Sequence, residues 1–168
     1  MPKTLILIRH AKAVDRLEAE DDFERGLTER GRSDASLCGE TVAAMVDRVD
    51  LALVSPSRRT LQTWTKIKPA FAEVPVEDPM ALYHASTDML MRAAKDALAR
   101  ADTVMMIGHN PGIGGFAQGL AVKAGARDHM PLGYPTATAT VFETAKGQPV
   151  EALFETPRFV GIFNPKPQ

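Results

Sequence analysis

Two histidines in this chain each stand at the end of an apolar, strand-forming run. One follows Leu5-Ile6-Leu7-Ile8-Arg9 as His10; the other follows Val104-Met105-Met106-Ile107-Gly108 as His109. A third run, Leu51-Ala52-Leu53-Val54, ends in Ser55-Pro56 and leads within one helical turn to Arg58 and Arg59. Ligands of open α/β sheets bind beyond the carboxyl ends of the strands, so Arg9, His10, Arg59 and His109 can share a pocket despite their separation in sequence. Guanidinium forks bind the oxygens of a phosphoryl group in pairs and offset its charge. A neutral imidazole attacks phosphorus, and cationic neighbours lower its pKa and keep it unprotonated. A second imidazole, protonated, can share the charge that develops on the transferring group. The N–H groups at the start of the helix after His109 offer one more anion site. The expected chemistry is phosphoryl transfer onto His10, with Arg9, Arg59 and His109 around it.

Other readings of these residues are weaker. A single strand-end histidine is more often structural, but two of them beside arginines point to a site. A two-histidine metal centre is the sharpest rival, yet no Asp, Glu or Cys stands at either strand end to complete it, so no metal is expected. Arg58 reads as solvated or paired with an acidic neighbour, and His129 as a loop residue without partners. Residues 108–115 are glycine-rich but lack the Lys-Ser/Thr of a P-loop and the spacing of a dinucleotide site.

The elements that must position these side chains follow from the apolar pattern. Residues 4–8, 51–54 and 103–107 are apolar on both faces, the mark of strands covered on both sides. Thr28 opens a helix running to about residue 47, with Cys38, Val42, Met45, Val46 and Val49 on one face. Ser57 opens a helix through Leu61, Trp64 and Ile67 that Pro69 ends, and Ser86 opens one with Leu90, Ala93, Ala94, Ala97 and Leu98 inward. A short helix is expected from Pro111 to about residue 122. Residues 74–76 are a short extended piece at best. Residues 137–143 alternate apolar and polar, and 150–154 and 159–163 read as further strands of an edge meander. Residues 11–26, mixed in charge and without period, read as a loop that closes over something. The expected fold is an α/β three-layer sandwich: a mostly parallel sheet, helices on both faces, a C-terminal strand meander at the edge, and one domain over 1–168.

Composition narrows the function classes. The chain has 168 residues, 20 basic and 21 acidic side chains and a net charge of −1, so no bulk field draws it to nucleic acid or membranes. Its single cysteine, Cys38, excludes an internal disulfide and a Cys-rich metal site. The four-residue apolar run 5–8 falls short of the roughly 7–15 residues of a signal peptide, so the expected location is cytoplasmic.

The sequence resembles the histidine phosphatase superfamily, also called the phosphoglycerate mutase-like family. The matching stretches are Leu5-Ile6-Leu7-Ile8-Arg9-His10-Ala11, Leu27-Thr28-Glu29-Arg30-Gly31, Ser55-Pro56-Ser57-Arg58-Arg59-Thr60-Leu61-Gln62-Thr63 and Gly108-His109-Asn110-Pro111. Small size and the Arg9-His10-Ala11-Lys12-Ala13 stretch look most like the SixA group, described as phosphohistidine phosphatases. The resemblance implies that His10 becomes phosphorylated, that Arg9 holds the phosphate, that the motif's arginine is Arg59 rather than Arg58, and that His109 is the second pocket histidine. It implies Arg25, His84 and Asn110 as substrate contacts and Pro135-Thr136 as a late pocket edge.

One departure matters. Larger members carry a glutamate acid in a Leu-x-Glu stretch, where this chain has Leu82-Tyr83-His84, with Glu77 and Asp78 out of register. An alkoxide leaving group needs a proton donor, whereas the imidazole of a phosphohistidine leaves as a much weaker base, with a pKa of about 6.5. The expected substrate is therefore phosphohistidine on a protein, released as inorganic phosphate with no cofactor. The alternatives are a small phosphoester, with His84 as acid, and a non-catalytic phosphate-binding or phosphoprotein-binding module.

Overall fold

A computed structural model describes residues 1–165; positions 166–168 of the expected domain lie outside the described residues. Six strands form one sheet in the order β3-β2-β4-β1-β5-β6. They are β1 (Thr4–Arg9), β2 (Leu51–Val54), β3 (Val76–Glu77), β4 (Thr103–Gly108), β5 (Ala139–Glu143) and β6 (Arg158–Phe163). The first four are parallel, while β5 runs antiparallel to β1 and β6 antiparallel to β5. The sheet is thus mostly parallel with an antiparallel C-terminal edge, as the apolar pattern predicts.

Alternation along the strands sends side chains into two separate cores. Leu5, Leu7, Leu53 and Met106 pack with Leu90 and Leu98 of α3 (Thr87–Arg100) and with Ile113, Phe116 and Leu120 of α4 (Gly112–Lys123). Ile6, Ile8, Val54 and Ile107 pack with Cys38 and Val42 of α1 (Glu29–Ala43) and with Trp64 and Ile67 of α2 (Arg58–Ile67). Each fully buried Leu or Ile of this kind contributes about 1.5–3 kcal/mol. Burial on both faces is why these strands lack a polar side. Thr28 and Ser86 cap their helices through their hydroxyls, on the N–H groups of Gly31 and Met89. Among the described residues, no helix is long and apolar enough to cross a membrane.

Three expectations are corrected. Helix α1 ends at Ala43 rather than near residue 47, because Asp50 exchanges two hydrogen bonds with Thr103 at the start of β4 and draws residues 47–50 out of the helical path. Residues 150–154 are not a strand: Val150 caps, and the rest lie in, the short helix α5 (Glu151–Glu155). Their apolar positions Val150, Leu153 and Phe154 follow the i, i+3, i+4 spacing of a helix, and both ends are bounded by prolines. Strand β5 starts at Ala139 because Ala137 has φ +63, a left-handed turn that no strand contains.

Candidate active site

Register brings the two histidines together. Arg9 is paired with Gly108 across the β1–β4 ladder, so His10 and His109 follow on neighbouring strands, with ring centroids 5.4 Å apart. The Ser55 N–H donates to the Ile107 carbonyl and brings the end of β2 alongside. A tight turn pins the third side: the Ala137 N–H donates to the carbonyls of Arg9 and His10, and the Arg9 N–H to that of Thr138. Both Tyr134 and Ala137 take positive φ there, +48 and +63. Such strained residues persist where the surrounding structure fixes them, and here they fix the end of β1.

His10 is 6% exposed, and its Nδ1 lies 2.8 Å from the Ala11 carbonyl oxygen. A carbonyl only accepts, so Nδ1 carries the proton and Nε2 keeps its lone pair. Burial pushes the His10 pKa down to about 3, against a raising contribution from the Ala11 hydrogen bond and with further lowering by His109, Arg59 and Arg9. Neutrality therefore comes first from desolvation and only second from the cationic neighbours that the sequence pointed to. The motif around Arg59 supports this geometry. The Thr63 hydroxyl accepts from the Ala11 N–H and donates to the Arg59 carbonyl, and Gln62 Oε1 accepts from the Leu27 N–H. Helix α2 thereby holds both the residue that orients His10 and the base of the loop over the pocket.

Arg59 is 5% exposed and points its fork at the loop. Its Nη1 donates to the Asp22 carbonyl (2.7 Å), and its Nη2 to Asp22 Oδ2 (3.1 Å) and to His109 Nδ1 (3.3 Å). A guanidinium only donates, so His109 Nδ1 accepts and its Nε2–H faces the Ser55 hydroxyl at 2.7 Å. Burial, then Arg59, brings the His109 pKa down to about 4, so this ring is neutral in the structure rather than the imidazolium that the sequence suggested. Arg9 donates from Nη1 to the Tyr134 carbonyl. Among the described residues, the buried Nε–H groups of both Arg9 and Arg59 find no hydrogen-bond partner. A buried N–H of this kind is costly unless an acceptor reaches it.

The structure gathers Arg9, His10, Arg59 and His109 and places the remaining candidates differently. His84 lies at the mouth, exposed and with its ring tilted against Tyr83 at 4.0 Å, in a cleft of about 210 Å³ that Arg59, Tyr83 and His109 also line. Arg25 turns away and holds Asp22 and the Val14 carbonyl. Asn110 lines the cleft, but its amide ties the carbonyls of Gly133 and Tyr134 to the Gly114 N–H. That last bond, with those from Ile113 and Gly115 to the His109 and Pro111 carbonyls, engages three of the first N–H groups of α4. Arg58 is exposed and donates to the Glu24 carbonyl, and His129 stacks on Phe159. Glu77 is clasped by Arg100 and is no substitute for the family acid.

Sequence reasoning missed Asp22 and Tyr83. The two short 3-10 turns of the loop, Arg16–Glu18 and Asp22–Glu24, hang from an isolated bridge between Ala13 and Leu27. Asp22 accepts from Tyr83 and Arg59 on one oxygen and from Arg25 on the other. Burial would raise its pKa, but the Tyr83 hydrogen bond and the Arg59 hydrogen bond and charge outweigh that and hold it down at about 2. Nothing in residues 11–26 separates this carboxylate from its acidic neighbours; only the fold does. Among the described residues, no three His, Cys, Asp or Glu side chains converge as a metal-ligand set.

Comparison with known proteins agrees with this geometry. The sequence model of the histidine phosphatase superfamily (branch 1) matches residues 5–82. A structure from Agrobacterium tumefaciens, described as a candidate phosphohistidine phosphatase SixA, superposes with a TM-score of 0.83 at 26% identity, covering 98% of this chain and 99% of that one. A protein from Nakamurella, described in the same way, gives 0.80 at 24% identity, covering 98% and 97%. A protein histidine phosphatase SixA complexed with tungstate gives 0.73 at 18% identity, covering 95% of each chain, a likeness of fold. Over residues 5–82 the chain matches the histidine phosphatase superfamily, and over nearly its whole length it has the fold of the SixA-type structures.

Proposed function

We propose that this phosphatase removes the phosphoryl group from a phosphohistidine of a protein, with His10 as the transient acceptor. The observation that carries the reading is the His10 ring: buried, neutral, with Nδ1 fixed on the Ala11 carbonyl and Nε2 available. Its Nε2 forms the new P–N bond while the bond to the substrate nitrogen breaks, and the electron pair of that bond stays on the leaving imidazole. Water then attacks the phosphorus, and inorganic phosphate leaves His10. The partnerless Nε–H groups of Arg9 and Arg59 are the donors an incoming phosphoryl group would satisfy. As the dianion draws Arg59, His109 Nδ1 becomes free to take a proton and share the transition-state charge. The two guanidinium groups supply the positive charge, so the reading calls for no metal or cofactor, and the phosphorylated domain and inorganic phosphate are its partners.

Hydrolysis of a phosphohistidine-bearing protein tests this. Wild type should release phosphate from it at least tenfold faster, in kcat/KM, than from any of a panel of sugar phosphates. Faster turnover of an ester would support a second reading, a small-phosphoester phosphatase, which the exposed His84 at the mouth favours as a possible proton donor. In that case His84→Ala should collapse the ester rate.

A further inference from the structure

From the placement of Asp22, we infer that its carboxylate is a specificity-determining group. It favours a leaving group that departs from a protonated nitrogen heterocycle and disfavours one that departs as an oxyanion. This rests on the phosphatase reading above and adds a residue and a selection rule to it.

Three observations carry the inference. His10 is buried with its ring 5.4 Å from that of His109, which lines the cleft, and in-line transfer puts the leaving group on the far side of the phosphorus from it. Asp22 stands at the mouth: its side chain is 37% exposed, and its Oδ2 lies 3.1 Å from the same Arg59 nitrogen that contacts His109. The aromatic wall beside it is built for a flat ring. Tyr83 sits edge-on to both Phe23 and His109, and the His84 ring lies against it at 4.0 Å, tilted by 38°.

The charge balance then separates two substrate classes. In a phosphorylated imidazole protonated on its other ring nitrogen, that N–H can donate to the Asp22 carboxylate. When the P–N bond breaks, its electron pair returns to the ring, which leaves as a neutral imidazole, and no anion forms beside Asp22. In an alkyl phosphoester the pair goes to oxygen, and an alkoxide develops next to a fixed negative charge. That carboxylate is held ionised by Tyr83, Arg25 and Arg59 and has no proton to give.

The test compares wild type and Asp22→Asn on phosphoimidazole and on glycerol 2-phosphate, reading kcat/KM for each. The expected result is a selective loss: kcat/KM on phosphoimidazole falls about tenfold more than on the ester, so the ratio of the two falls by about that factor. Asp22→Glu, which keeps the charge, should keep the ratio within about threefold of wild type. Equal losses on both donors, or a Glu variant as unselective as the Asn variant, would overturn the inference and leave Asp22 as a prop for Arg59. Failure of the phosphatase reading looks different, because wild type would then turn over neither donor.

Discussion

The floor and the mouth of this pocket are built on opposite principles. The floor is the carboxyl end of three neighbouring strands, β1, β4 and β2, whose register sets where His10, His109 and Ser55 stand. Backbone groups fix its side chains: the buried His10 by Ala11, and the half-buried Arg9 by the Tyr134 carbonyl. The mouth is a loop of two single-turn helices and the Tyr83–His84 segment, tied to the floor through Asp22 and carrying the 96% exposed Leu17. The contrast teaches a division of labour. Under the proposed function, steps common to every phosphoryl donor belong to the floor, and discrimination among donors belongs to the mouth. A floor variant should damage all substrates alike, and a mouth variant should change the ratio between them.

The harshest attack on the floor, short of removing His10, is Arg59→Ala. It removes a charged donor from the transferring group and should lower kcat/KM on every donor by about 10²–10³-fold. Arg59→Lys should recover little, because a point charge cannot replace a fork. A loss under threefold, or one confined to a single donor, would break the division.

Next in size is the response to acid. In the fold His10 and His109 titrate near 3 and 4, well below the ordinary 6.5. As pH falls through 6.5, the unfolded chain binds protons on these rings and the folded chain does not. Stability is therefore full above 6.5 and is lost below it, down to about 4 for His109 and about 3 for His10, with each ring costing up to about 1.4 kcal/mol for every whole step in pH. Thermal unfolding midpoints measured from pH 7.5 to 4.5 should fall for wild type and fall less for His10→Gln. Parallel curves would show that the floor does not hold His10 neutral.

Tyr134→Phe probes the frame beneath the floor. The buried hydroxyl donates to the Leu7 carbonyl and also meets Thr140. Its loss should cost about 1–3 kcal/mol in chemical denaturation while leaving kcat/KM within about threefold. The smallest effect is expected at the rim. Leu17→Ser removes a side chain that the described structure leaves almost wholly exposed, and should change stability by no more than about 0.5 kcal/mol.

The same contrast decides what the sequence could reveal. The floor is legible because strands covered on both faces are written as unbroken apolar runs, so Arg9, His10 and His109 announce themselves at the run ends, and Arg59 one turn beyond another. The mouth is not legible. Asp22 is one acidic residue among several in a loop without period, and its role exists only through partners 37 and 61 positions away. Asn110 misleads for the converse reason: it neighbours His109 in sequence, yet its amide is consumed in bracing the turn at Gly133 and Tyr134. Arg25 belongs to the mouth as Asp22's holder rather than as a direct contact to the floor. Residues 150–154 were readable as helix from their spacing, but their short length and strand-like company favoured the wrong element.

The central claim is that His10 itself receives the phosphoryl group. Mixing the protein with a radiolabelled phosphohistidine donor, quenching in alkali and separating the chain under denaturing conditions tests it directly. Wild type should carry an acid-labile, alkali-stable label on the peptide that contains His10, and His10→Ala should carry none and release no phosphate. Equal labelling of both proteins, or full turnover by His10→Ala, would contradict the account.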